Sequence, residues 1–167
     1  MTNFSLIPFE SEPNFQVAGT ARIQGHALQL VFEVRGSNLV LPARAERPSY
    51  QEGLWRTTCF ELFVADPTGT SYEEFNFAPS GDWWHARFQD YRVRAENSAR
   101  PSAPLIRTST RPVVRVEVEL PNFSAGQRVC APCAVLEHSS GAISYWAMKH
   151  SGDRADFHRR EAFSLHL

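Results

Sequence analysis

Apolar and polar residues alternate along much of this chain with a period of two. In Ala27–Arg35, Leu28, Leu30, Phe32 and Val34 share one face, while Gln29, Glu33 and Arg35 fall largely on the other. Val113–Leu120 repeats the pattern, with Val114, Val116, Val118 and Leu120 set against Arg115, Glu117 and Glu119. Such alternation marks strands with one buried side. Shorter runs of the same character are Thr20–Ile23, Cys59–Ala65, Tyr72–Ala78, Trp83–Gln89, Pro104–Thr110, Cys133–His138, Ile143–Met148 and Ala162–Leu167. Turn clusters separate them, 11 Pro and 9 Gly are spread throughout, and helix signals are nearly absent. The expectation is an all-β chain: a single antiparallel β-sandwich domain over 1–167, with jelly-roll or immunoglobulin-like layers, about nine to ten strands and little helix. Pro42–Leu54 and Tyr91–Ala103 read as surface loops.

The stretch from Leu54 to Arg92 is the densest part. Asp66-Pro-Thr-Gly-Thr-Ser71 and Pro79-Ser-Gly-Asp82 are turn sequences between three strands. Symmetric hairpins would place Glu61 opposite Asn76 and Phe63 opposite Glu74, then Asn76 opposite His85 and Glu74 opposite Arg87. Two rows result, Glu61–Asn76–His85 and Phe63–Glu74–Arg87. The other face would carry Phe60, Leu62, Val64, Phe75, Phe77, Trp84, Ala86 and Phe88 as core, because a one-residue slip exchanges the two faces. Trp55, Trp83 and Tyr72 would border the polar face. Glu74 and Arg87 could form a cross-strand ion pair there.

Composition narrows the partners. At 167 residues the chain can bury a sizeable core. A net charge of −1 with scattered basic residues gives no sign of nucleic acid or an anionic membrane as partner. No apolar run is long enough to span a bilayer. The opening MTNFSLIPFESEPNF lacks both a basic and a continuous apolar region, so no signal peptide and a cytoplasmic location are expected. The 3 Cys make no disulfide framework. Cys130-Ala-Pro-Cys133 has redox or half-zinc-site spacing, but it stands without a second such pair and without a βαβ context.

Aromatic residues make up 12% of the chain, and most of them must be core. Large indole surface left on a wet sheet face needs a reason, and binding is the usual one. A pyranose offers an apolar C–H face for aromatic rings and a hydroxyl rim for carboxylate, amide and guanidinium groups. Trp55, Trp83, Glu61, Asn76, Glu74, His85 and Arg87 supply that mixture. A carbohydrate or similar small polar ligand is therefore the expected partner, with no cofactor.

The segments LW-x₃-CFELF, YEEFNF-x-PSGDW and SYWAMKH…DFH resemble the bacterial DOMON-like proteins, which are related to family 9 carbohydrate-binding modules. The resemblance runs from about Phe32 to the C-terminus. It implies a sandwich that binds a ligand on one concave sheet, with Trp55 and Glu61 matching a site Trp and a Glu six residues later. Those relatives clamp a sugar, often at its reducing end, between two rings with Arg, Asn and acidic partners; Asn76 and Arg87 are the nearest candidates. No Asn-x-x-Trp pattern supplies the second ring near the C-terminus, so Trp146, Phe157 or Trp83 would substitute. Other DOMON relatives bind haem through Met and His, but Met148 lies on an apolar face with Trp146 and reads as core.

The loop from His150 to His158 adds His150, Asp153, Asp156 and His158. Its spacing matches no zinc motif. Asp156 or His158 is expected to bond backbone groups or close one edge of the site, with His150 and His158 as outlying site residues. Two other functions compete with a non-catalytic binding module. One is a glycan-modifying enzyme using Glu61 and Glu74 as a carboxylate pair, although neighbouring amide and Arg groups would hold both ionised. The other is an assembly domain that forms a homodimer through the same face.

Overall fold

The computed structural model describes residues 1–12, 14–96, 98–123 and 126–167. The alternating segments form strands β1 (Thr2–Pro8), β2 (Phe15–Gln24), β3 (Ala27–Gly36), β4 (Leu39–Val40), β5 (Cys59–Ala65), β6 (Tyr72–Phe77), β7 (Trp83–Asp90), β8 (Val93–Arg94), β9 (Leu105–Ser109), β10 (Val114–Pro121), β11 (Val129–His138), β12 (Ile143–Ala147) and β13 (Leu165–His166). Among the described residues, helix is confined to two single 3-10 turns, Leu54–Arg56 and Arg160–Ala162. Each of the expected strands has a counterpart. The last shrinks to β13, because the 3-10 turn at Arg160–Ala162 takes up the start of its apolar run. Strands β1, β4 and β8 are additional; β4 and β8 hold two residues each, too few to show a period.

All ladders are antiparallel and build two layers. The first sheet runs β1-β2-β3-β10-β9, and the second β8-β7-β6-β5-β11-β12, with β4 and β13 also on β11. Strand β1 belongs to both: Thr2–Leu6 pair with β2, while Ile7 and Pro8 pair with β12. One strand that changes sheets ties two layers into a sandwich corner. Between the layers lies the main core, where Phe4, Leu28, Leu30, Phe32, Val116 and Val118 meet Phe60, Leu62, Phe75, Phe77, Leu136 and Trp146. Phe32 and Phe60 bridge the layers at 4.9 Å between ring centroids. Met148 packs against this core, as its apolar surroundings predict.

The second sheet is covered on its outer face too. Every residue of β5 is buried. Its outward side chains join Tyr72, Trp84, Ala86, Phe88, Cys133 and Phe163 in a second apolar cluster. The residues around Trp55 and Phe157 pack over it. Phe63 holds the cover down, 5.1 Å from the His158 ring and 5.8 Å from Phe163.

The β5–β6 register is the expected one, with Glu61 opposite Asn76 and Phe63 opposite Glu74. The β6–β7 register is not. Phe77 pairs with Trp83, Asn76 with Trp84, Phe75 with His85, Glu74 with Ala86 and Glu73 with Arg87. The loop has five residues, 78–82, rather than four, closed by Ala78 N–H to the Asp82 carbonyl at 2.9 Å. An odd count turns every β7 side chain to the other face. Trp83, His85 and Arg87 therefore leave the proposed polar face, and Trp84, Ala86 and Phe88 enter it.

Cys130 and Cys133 lie on β11, three residues apart, and so point to opposite faces. Cys130 is in the inter-sheet core and Cys133 in the outer cluster. This arrangement rules out a disulfide or a shared metal between them. Burial pushes both thiols up, Cys130 to about 12.

Close approach of β1 and β3 to β2 depends on Gly19. A Cβ there would meet the Val31 carbonyl oxygen at 2.1 Å and the Phe4 ring at 2.4 Å. Gly19→Ala is expected to lower stability by about 2–3 kcal/mol. Urea denaturation reads this directly, and an unchanged midpoint would mean the strands can part without loss.

Candidate ligand-binding site

A cavity of about 350 Å³ opens on the outer face of the second sheet. Its floor carries Glu61 and Phe63 from β5, Glu74 from β6, Trp84 and Phe88 from β7, and Val135 from β11. Trp55, Arg92, Arg94, Tyr145 and the segment from Ala155 to His158 form its walls. Two aromatic pairs face the space. Trp55 packs on Trp84 at 5.3 Å with 59° between the rings, and Tyr145 meets Phe157 at 6.2 Å and 65°. Trp84 and Tyr145 sit on β7 and β12, four strand spacings apart in the sheet order. That is about 19 Å along the sheet, so the pairs occupy opposite banks. The Arg94 guanidinium lies 4.9 Å from the centroid of the Trp84 ring and also pairs with Glu52.

Two buried carboxyls lie between the banks. Burial, reinforced by the charge of Glu74, raises Glu61 well above the usual carboxylate range. Burial also raises Glu74, and an Asn76 hydrogen bond with Arg94 and Arg92 nearby pulls it back only to about 7. The expectation that amide and Arg neighbours keep both ionised is therefore overturned: desolvation outweighs them. Asn76 is fully buried and donates from Nδ2 to Glu74 Oε1 at 2.8 Å. It orients Glu74 from beneath and is absent from the cavity lining.

The wall at His158 is a hydrogen-bonded relay. The Arg92 backbone N–H donates to Tyr72 Oη at 3.1 Å, and the Tyr72 hydroxyl shares a hydrogen bond with His158 Nδ1 at 2.8 Å. The other ring nitrogen, Nε2, lies 3.6 Å from Glu74 Oε2. Burial, followed by the charge of Arg92, lowers the ring to about 4, so it is neutral at pH 7. Asp156 anchors the loop. It accepts from Tyr91 Oη at 2.5 Å, Arg92 Nη2 at 2.8 Å and the His158 backbone N–H at 3.1 Å. Burial acts to raise Asp156, but the bonds from Tyr91 and Arg92 prevail and hold it below its ordinary value. Asp156 thus orders this loop through a backbone group, as its position in the sequence suggests.

Of the residues expected at the site, Trp55, Glu61, Glu74 and His158 come together at the cavity. Trp83 is buried against Tyr50 on the opposite face, at 4.8 Å between rings. His85 and Arg87 lie on that same face around Glu73, with His85 Nε2 2.7 Å and Arg87 Nε 3.8 Å from its carboxylate. The expected Glu74–Arg87 pair is a Glu73–Arg87 pair, because of the odd loop. His150 bonds the Ile7 carbonyl at 2.9 Å and packs on Phe9, at the β1 edge and away from the cavity. Of the proposed second rings, Phe157 lines the cavity, whereas Trp146 is in the inter-sheet core.

Trp84, Arg92, Arg94 and Tyr145 were not anticipated. For the two arginines a signal exists in Gln89-Asp90-Tyr91-Arg92-Val93-Arg94. Asp90 pairs with Val93 across a two-residue turn, Arg92 takes a left-handed φ of 56°, and β8 returns along β7. Two arginines spaced by two, one in the tight turn and one on the return strand, are a pattern the loop assignment obscured.

No protein-family model matches the chain, and no curated protein matches it. Its fold is similar to the crystal structure of a candidate carbohydrate-binding protein from Bacteroides uniformis. The TM-score is 0.61 at 15% identity, over 96% of this chain and 84% of that one. At that identity the likeness carries the fold.

Glu74 sets a pH signature. Its folded value near 7 exceeds its ordinary 4.5, so the folded state resists ionisation that the unfolded chain allows. Stability from this group is present below about pH 4.5 and is lost as pH rises through 7. Glu74→Gln removes the loss. Relative to the unsubstituted chain, it should gain up to about 3 kcal/mol between pH 4.5 and pH 8. Urea denaturation at both pH values measures the difference, and equal offsets at the two would contradict it.

Proposed function

We propose that the chain is a non-catalytic binding module that takes a carbohydrate or similar polyol in this cavity. The observation that carries the reading is the pair of aromatic banks, Trp55–Trp84 and Tyr145–Phe157, standing over two buried carboxyls in one open space. Rings match the apolar faces of a pyranose, and Glu61, Glu74, His158 and the guanidiniums match its hydroxyl rim. The volume falls within the range of about 300–1,000 Å³ usual for small-molecule sites. The described function of the Bacteroides uniformis neighbour supports the same class of ligand. In this reading the chain is a sugar-binding relative of the DOMON-like and family 9 modules, with Trp84 or Phe157 as the second ring.

The carboxyls argue for binding over turnover. Glu61 and Glu74 stand diagonally on adjacent strands of one floor. A glycoside hydrolase needs its two carboxyl groups on either side of the scissile bond.

Intrinsic Trp fluorescence of the purified chain, titrated with mono- and disaccharides, tests the reading. A saturable, competable change is expected, with no product released from chromogenic glycosides. Trp55→Ala should weaken binding by about 2 kcal/mol or more, roughly 30-fold. Arg87→Ala, on the opposite face, should leave it unchanged. Full affinity in a folded Trp55→Ala protein would remove the cavity from consideration.

A further inference from the structure

We infer that the ligand presents a protonated amine to Glu61 and Glu74, so that amino sugars are preferred over their neutral counterparts. This deepens the carbohydrate reading and rests on the same cavity.

The charges around the cavity are already matched except at this pair. Asp156 holds Arg92 at 2.8 Å and lies 3.5 Å from Arg159 Nε. Arg94 pairs with Glu52. Among the described residues, no guanidinium forms an ion pair with Glu61 or Glu74. Arg92 and Arg94 act on Glu74 from the cavity wall but are engaged by Asp156 and Glu52, and the His158 ring, 3.6 Å from Glu74, is held neutral.

Glu61 is the telling residue. It is 3% exposed, it lines the cavity, and among the described residues its carboxyl has no hydrogen-bond partner. Its cross-strand neighbours are Asn76 and Cys133, and neither donates to it. Asn76 Nδ2 donates to Glu74, and the Cys133 thiol donates to the Ala131 carbonyl at 3.7 Å. Glu74 has the Asn76 donor on Oε1, while its Oε2 has only the His158 ring at 3.6 Å. Partners for the remaining carboxyl oxygens can enter only through the cavity.

An ammonium group has three donors and no acceptor, and a cation placed between Glu61 and Glu74 favours their ionised, acceptor-only form. A single –NH₃⁺ can bridge Glu61 and Glu74 and supply the charge that burial denies them. A neutral hydroxyl brings one donor and leaves the second carboxyl unmatched. The indole and phenyl walls would add cation–π attraction to the same group.

Isothermal titration calorimetry of the full chain at pH 7 tests this with four probes: glucosamine, N-acetylglucosamine, glucose and ethanolamine. Glucosamine is expected to bind at least about tenfold more tightly than either neutral sugar. Glu61→Gln should abolish that preference, and Glu74→Gln serves if the first variant fails to fold. Equal or tighter binding of the neutral sugars, or a preference that survives both substitutions, overturns the amine inference and leaves the carbohydrate reading standing. Equal binding of ethanolamine and glucosamine, with neither neutral sugar bound, upholds the amine and overturns the carbohydrate. Heat from none of the four overturns both.

Discussion

Burial of the second sheet on both faces is the constraint from which the rest follows. A sandwich needs only one covered face per sheet, and the first sheet obeys that economy. In the second, β5 has no exposed residue, because the chain after β12 and the turn around Trp55 return across its outer surface. Covering a sheet face leaves polar side chains with two options: internal partners or a cavity. Asn76 has the first and Glu61 the second. The cover also makes the local environment apolar enough that desolvation, rather than nearby guanidiniums, decides the protonation of both carboxyls.

The same double burial explains what could and could not be read from the residues. Strands with one wet face, β3 and β10, announce their inward side by alternation, and both faces were assigned correctly. Strand β5 was also readable, since Phe60, Leu62 and Val64 leave Glu61 on the other side. Strand β7 was not. Its sequence, Trp-Trp-His-Ala-Arg-Phe, puts bulky apolar groups on both faces, so hydrophobicity alone cannot choose between them. The choice rests on one residue in the preceding loop, whose length alone sets the face.

That loop is held by Asp82. Its carboxylate accepts from Ser80 Oγ at 2.7 Å, Ser49 N–H at 2.8 Å and Ser49 Oγ at 3.0 Å. Burial acts to raise Asp82, yet these bonds keep it below its ordinary value, so the clamp is ionised across the neutral range. Gly81 supplies the left-handed φ of 99° that the turn requires. Segment 49–51 is pinned alongside β7 by the same carboxylate and by backbone bonds to Trp83. A clamp whose partner, Ser49, lies 33 residues upstream leaves no local periodicity to detect. It nevertheless decides that Trp84, not Trp83, stands in the cavity.

The cavity therefore combines two kinds of order. Asp156, Tyr91, Tyr72 and His158 form a closed set of hydrogen bonds that fixes one wall without outside help. Glu61 and the free side of Glu74 face the cavity, where no protein donor among the described residues bonds them. Rigid walls with an unsatisfied floor are what a preorganised receptor requires: the protein has already met the ordering cost, and the missing bonds are the ones a ligand brings. Two carboxyls on one floor, with no guanidinium paired to either among the described residues, distinguish this cavity from a purely aromatic cleft.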